Sequence, residues 1–97
     1  MLTLDEAKAI ATNELSEMPG GGDDLMIIDR HTLAKPYGWV FFFNTRKYEE
    51  TKEFIYGVFG NGPIVVRHDK RVDRLPTAGG EDEVIAAFEK KHGLRAS

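Results

Sequence analysis

Gly38-Trp39-Val40-Phe41-Phe42-Phe43-Asn44-Thr45 is the stretch around which the rest of the chain organises itself. Trp39–Phe43 is aromatic or β-branched without a break, the composition of a strand. A half-exposed strand alternates apolar and polar residues, and this one does not, so both of its faces need cover. Downstream, Thr45–Glu53 is polar and charged and reads as a long exposed connection. Phe54–Gly60 reads as a third strand, again apolar on both faces at Phe54-Ile55-Tyr56. Gly60-Asn61-Gly62-Pro63 supplies a turn, because glycine accepts φ > 0 and proline cannot donate to a ladder. Ile64–Arg67 is a fourth strand, His68-Asp69-Lys70-Arg71 a hairpin turn, and Val72–Leu75 a short fifth strand. Upstream, Leu25–Asp29 suits a first strand and His31–Pro36 a loop or short turn.

Helices close both ends. Thr3-x-x-Glu6 is a capping box, in which each residue's side chain meets the other's backbone N–H. Leu4, Ala7, Ala11, Leu15 and Met18 then recur at helical spacing, and Pro19-Gly20-Gly21-Gly22 stops the run, so a helix over Leu4–Met18 follows. Ile10 lies beside that stripe, among Glu6, Glu14 and Glu17. The last helix opens on Glu81-Asp82-Glu83, where the macrodipole favours acids, and buries Val84, Ile85 and Phe88. Lys90 and Lys91 fall in its last turn, and Gly93 with Leu94 fits a Schellman stop. The fold class is α+β: a helix, an antiparallel four- to five-stranded meander sheet, and a C-terminal helix. Two short helices leave two arrangements open. Either each covers one sheet face, or one apolar face is left for a partner or a second copy.

At 97 residues the chain has room for one domain, 1–97, and little volume for a deep enclosed site. The longest apolar run falls far short of the roughly 20 residues of a membrane span, and Met-Leu-Thr-Leu-Asp-Glu does not resemble a secretory leader. Cysteine is absent, which excludes disulfides and thiolate chemistry. A formal net charge of -3 argues against nucleic acid as the partner. The charge is uneven: residues 1–30 hold seven acids against two bases, and residues 31–75 eight bases against five acids. The acidic helix is either ordinary solvated surface or a face for a basic partner.

A catalytic constellation is hard to assemble. Ser16 lies inside a helix and Ser97 ends the chain, which disfavours a serine nucleophile. His31, His68 and His92 share no metal-ligand spacing. Glu49-Glu50 and Glu81-Asp82-Glu83 are neighbours in sequence rather than carboxyls facing across a cleft. Gly20-Gly21-Gly22 and Gly60-x-Gly62 lack the ending of a phosphate loop, and Arg46-Lys47-Tyr48 lacks the wider basic surface of a nucleic-acid site.

The stretch Gly38–Thr45, followed by Tyr48, Thr51 and Gly60-Asn61-Gly62-Pro63-Ile64-Val65-Val66, resembles the immunity protein 35 family. Leu4-x-x-Ala7 and Val84-Ile85-x-x-Phe88 suit the same pattern, so the resemblance spans most of the chain. These are small bacterial proteins predicted to protect a producing cell from its own polymorphic toxin. The resemblance implies a cytoplasmic protein that binds and blocks a cognate toxin protein, with no cofactor and no catalytic residues. Its matching residues have structural explanations: Trp39 and Phe41 as core, Gly60 and Gly62 as backbone geometry.

Recognition then falls to less regular surface residues. The candidates are the acidic stripe Glu6, Glu14 and Glu17 with Ile10 at its centre, and the loop bearing Arg46, Tyr48, Glu49 and Glu50. Arginine and aromatic anchors dominate many interfaces, which favours Arg46 and Tyr48. Two other readings compete. One is a chaperone-like or homodimeric module using an uncovered sheet face. The other is a small enzyme or ligand-binding protein with a helix–sheet pocket near Tyr37, Tyr56, His31 and His68.

Overall fold

The structure, a computed structural model, describes residues 2–18, 25–57, 62–76 and 80–96. It opens on the capping box. Thr3 N–H donates to Glu6 Oε1 at 2.9 Å, and Glu6 N–H donates to Thr3 Oγ1 at 3.2 Å. Helix α1 (Leu4–Ser16) buries Ala7, Ala11 and Leu15 as the spacing requires, while Leu4 remains half-exposed. It ends two residues before Met18 because the Glu17 and Met18 amides bond back to Glu14 and Leu15 carbonyls in a tighter closing turn.

Strand β1 (Leu25–Ile27) is followed by a 3₁₀ turn at Asp29–His31 and then by β2 (Leu33–Lys35). That second strand corrects the loop expected over His31–Pro36. Leu33 and Ala34 are exposed on a sheet edge, so the segment carries no burial pattern, and its ladder to β3 (Gly38–Phe41) makes it a strand. Gly38 is required there: its φ is 151°, and a Cβ would collide with the Val66 carbonyl.

The run Trp39–Phe43 does not stay in one sheet. β3 ends at Phe41, the Phe42 carbonyl accepts from Ile28 N–H at 2.8 Å, and β4 (Phe43–Thr45) pairs with β1 in a separate two-stranded sheet. The larger sheet has the order β2-β3-β5-β6, all antiparallel, with β5 (Ile64–Arg67) and β6 (Val72–Arg74) joined by the expected hairpin turn. Lys70 takes the left-handed conformation in that turn, at φ 73°. Gly62 lets the chain pass the Leu75 carbonyl, which any Cβ would strike.

Two expectations fail between β4 and β5. The connection over Thr45–Glu53 holds a short helix, α2 (Arg46–Thr51), capped by Thr45 and stopped by Lys52 in the left-handed conformation. It buries no residue, so no apolar stripe announces it. The strand expected over Phe54–Gly60 is a 3₁₀ turn at Phe54–Tyr56, and the rest of that segment, residues 58–60, lies outside the described residues. Strand composition needs a ladder partner, and none of the described strands pairs with Phe54–Tyr56.

Helix α3 (Glu81–His92) closes the chain. Its stop is a Schellman motif: Leu94 N–H donates to the Glu89 carbonyl and Gly93 N–H to the Lys90 carbonyl, with Gly93 at φ 64°. The two long helices take one sheet face each. Phe41, Ile64 and Val66 pack with Ala7, Ala11 and Leu15 of α1, joined by the half-buried Trp39 and Phe43. Val40 and Val65 pack with Val84, Ile85 and Phe88 of α3, joined by Phe42. Residues 39, 41 and 43 thus serve one side, and 40 and 42 the other. The strand is apolar throughout because both of its faces are covered.

Candidate functional site

On the α1 face the structure commits most of the acidic stripe to local work. Glu6 belongs to the capping box, and the Thr3 backbone N–H holds its carboxyl below the ordinary carboxylate range. Glu14 pairs with Arg74 of β6, and Ile10 is half-buried against the α1 core. Glu17 is exposed. Glu6, Ile10 and Glu14 lie on α1, and Glu17 is its C-cap.

The second group sits on α2, which projects from the end of β4. Thr45 organises it. Its hydroxyl accepts from Tyr48 N–H at 3.0 Å and donates to the Tyr56 carbonyl at 2.6 Å, so one side chain caps the helix and ties down the turn that follows. Glu49 is a brace rather than an open contact. It pairs with Arg30 at 2.7 Å and Lys52 at 3.1 Å, and these cations, Arg30 first, hold its carboxyl below the usual range. Tyr48 is half-buried, with Lys52 Nζ 5.8 Å from its ring centre. Arg46 and Glu50 are exposed.

The sequence reading missed what stands next to them. Phe54 and Ile55 are 76% and 82% exposed, and Tyr56 is 37% exposed. Lys47 Nζ lies 4.1 Å above the Tyr56 ring. Thus α2 and the Phe54–Tyr56 turn form one knob, charged on its helix and apolar at its tip. The sequence carries no local signal for this turn, because Phe54-Ile55-Tyr56-Gly57-Val58-Phe59 has the composition of a strand.

Elsewhere the polar groups hold the fold. Tyr37 OH donates to Glu89 Oε2 at 2.8 Å, and Lys35 Nζ lies 3.2 Å from the same oxygen. Burial, and then Glu89, push the Tyr37 phenol well above its ordinary range. The pair fastens α3 to the β2–β3 edge. Arg67 pairs with Asp73 at 3.1 Å and lies 5.1 Å from the Phe88 ring centre.

The four residues of the pocket reading are scattered. His31 meets Phe42, His68 meets Trp39, Tyr37 meets Phe88, and Tyr56 lies in the knob. None of the four lines the groove of about 530 Å³ between β6 and α3, whose walls include Arg74, Pro76, Glu83, Phe88 and His92. Among the described residues no three His, Asp or Glu side chains are placed to hold a metal ion, and no helix is long and apolar enough to cross a membrane.

The sequence model of the immunity protein 35 family matches residues 5–86, from the first turn of α1 to the middle of α3. The chain belongs to the immunity protein 35 family. No curated protein and no solved structure gives a significant match. The matched span holds both sheets, the central strand β3, α2 and the Phe54–Tyr56 turn. Its motif residues divide by role. Trp39, Phe41 and Gly62 build the fold, whereas Tyr48 and Thr51 sit on the projecting helix.

Proposed function

We propose that this chain is a cytoplasmic bacterial immunity protein that binds a cognate toxin domain and neutralises it by occupying its surface, without catalysis. The observation that carries this reading is the family match over residues 5–86. The geometry agrees with it. Glu89, buried and bonded to Tyr37 and Lys35, holds α3 to the sheet, and Phe54 and Ile55 are exposed beside α2. The chaperone-like reading needed an open sheet face, and α1 and α3 take both faces of the larger sheet.

An inhibitor of this kind buries on the order of 1,200–2,000 Å² with its partner. Acidic charge raises the rate of association with a basic surface more than it raises affinity. The test is rescue in a bacterium. The neighbouring genes are searched for a large protein with a variable C-terminal domain, that domain is expressed alone and together with this chain, and survivors are counted. Restored growth with co-purification of the two proteins is the expected result. A domain that kills equally well in the presence of this chain overturns the proposal.

A further inference from the structure

The larger sheet ends on β6, and the ladder bonds show which of that strand's backbone groups are in use. Arg67 N–H donates to the Arg71 carbonyl and Leu75 N–H to the Pro63 carbonyl, both at 2.9 Å, so the residues just before and just after β6 face β5. Bonding alternates along an antiparallel pair. Asp73, opposite Val65, therefore faces β5 as well, while Val72 and Arg74 turn their N–H and C=O groups to the outer edge. Among the described residues no backbone group bonds to them there. A row of unpaired backbone groups is a template for another strand.

Beside this strand runs the groove of about 530 Å³ shared with α3. Leu75, Val84 and Phe88 give it an apolar lining, and the small, exposed Ala87 leaves it open. Its charges are sorted by end. Glu89 accepts from the Tyr37 hydroxyl and Phe88 lies 6.1 Å from the Tyr37 ring. The Tyr37 carbonyl in turn accepts from His68 N–H, at the hairpin from which β6 starts. The last turn of α3, with Lys91, thus borders the start of β6, and the first turn, with Glu83, borders its end. Asp73 and Arg74 are paired with Arg67 and Glu14, and His92 rests on the Phe88 ring. Glu83 and Lys91 form no ion pair among the described residues. They stand about 12 Å apart along the helix, the reach of about four residues of strand.

We infer that an extended segment of the toxin pairs with β6 as a fifth strand of the larger sheet. Its apolar side chains enter the groove between β6 and α3, a basic residue meets Glu83 and an acidic residue meets Lys91. The inference rests on the toxin-binding reading above and names the surface and the form of the partner. Outward groups on every second residue match the bonding repeat of an extended chain, not that of a helix. The separated charges fix which end of the segment lies where. In such a pairing the main-chain bonds supply affinity and the side-chain groove supplies specificity.

The experiment uses the full chain and the C-terminal domain expressed in the rescue test. Hydrogen exchange at the Val72 and Arg74 amides is followed by nuclear magnetic resonance with and without that domain. Affinity and rescue are measured for wild type, for Ala87→Trp, which fills the groove, and for Glu83→Lys/Lys91→Glu, which inverts its polarity at constant net charge. Unfolding midpoints confirm that each variant is folded, and Ala87→Gln replaces Ala87→Trp if the latter is not. Binding is expected to slow exchange at both amides about tenfold or more. Ala87→Trp is expected to weaken binding about thirtyfold and abolish rescue, and the charge inversion to weaken binding about tenfold. If wild type binds and rescues while both amides exchange as fast as before and Ala87→Trp binds within about threefold of wild type, the toxin reading stands and the strand pairing is overturned. If wild type neither binds nor rescues, the toxin reading falls and takes the pairing with it. Sedimentation gives the remaining outcome: if Ala87→Trp converts a dimer to a monomer while toxin affinity is kept, the β6 edge belongs to a second copy and the inference is wrong.

Discussion

Trp39–Phe43 and Phe54–Tyr56 are built from the same kinds of residue and end in opposite environments. The first run feeds two sheets and lies between two helices, with Val40 and Phe41 wholly buried. The second forms a turn whose backbone bonds close on themselves, Tyr56 N–H to the Glu53 carbonyl and Gly57 N–H to the Phe54 carbonyl. The difference lies in partners. A strand is completed by ladders from neighbouring chain, and β3 has them on both sides while residues 54–56 have none. Leaving a large apolar side chain in water forgoes about 1.5–3 kcal/mol. The fold collects that free energy at Phe41 and leaves it uncollected at Ile55.

Substitutions can break this contrast at either end. Phe41→Ala has the largest expected effect, a loss of about 3–5 kcal/mol read from denaturant unfolding, because the α1-side core cannot close over the missing ring. Tyr37→Phe comes next. It removes a hydrogen bond to a buried carboxylate and should cost about 1.5–3 kcal/mol near neutral pH. Its pH dependence carries a definite sign. The folded state holds the Tyr37 proton more tightly than the unfolded chain does, so this stabilisation is complete below the ordinary phenol value and is lost as pH rises above about 10. Wild type and Tyr37→Phe should therefore converge in stability in alkaline solution, as followed by circular dichroism.

Thr45→Ala tests the knob rather than the core. Loss of the α2 cap should cost about 1 kcal/mol. Faster hydrogen exchange at the Tyr48 amide would mark it, with the β3 and β5 amides little affected. The smallest effect is expected at Ile55→Ser, whose unfolding free energy should stay within about 0.5 kcal/mol of wild type. A loss comparable to that of Phe41→Ala would mean that the tip is part of the core, and the comparison between the two runs would collapse.

Much of the architecture is legible in local pattern. The Thr3–Glu6 box, the Ala7–Ala11–Leu15 stripe, the His68–Arg71 turn and the Gly93–Leu94 stop each act over a few residues, and each appears where its chemistry places it. The candidate site is only half legible. Arg46 and Glu50 are exposed as the sequence suggests, but Glu49 serves as a brace and Phe54–Tyr56, which reads as a strand, is a turn. The α1 acids show the same limit: Glu14 meets Arg74 across 60 positions of chain, which no local pattern reveals.

The chain's own order of residues thus establishes the α+β class, the two capped helices and the central aromatic strand, because caps, stripes and turns are short-range physics. Long-range pairing supplies the rest. It makes a strand of Leu33–Lys35, divides Trp39–Phe43 between two sheets and seats one helix on each sheet face. It also leaves Phe54–Tyr56 outside any ladder. Whether an apolar residue is core or surface depends on what else reaches it, and that is a property of the folded chain.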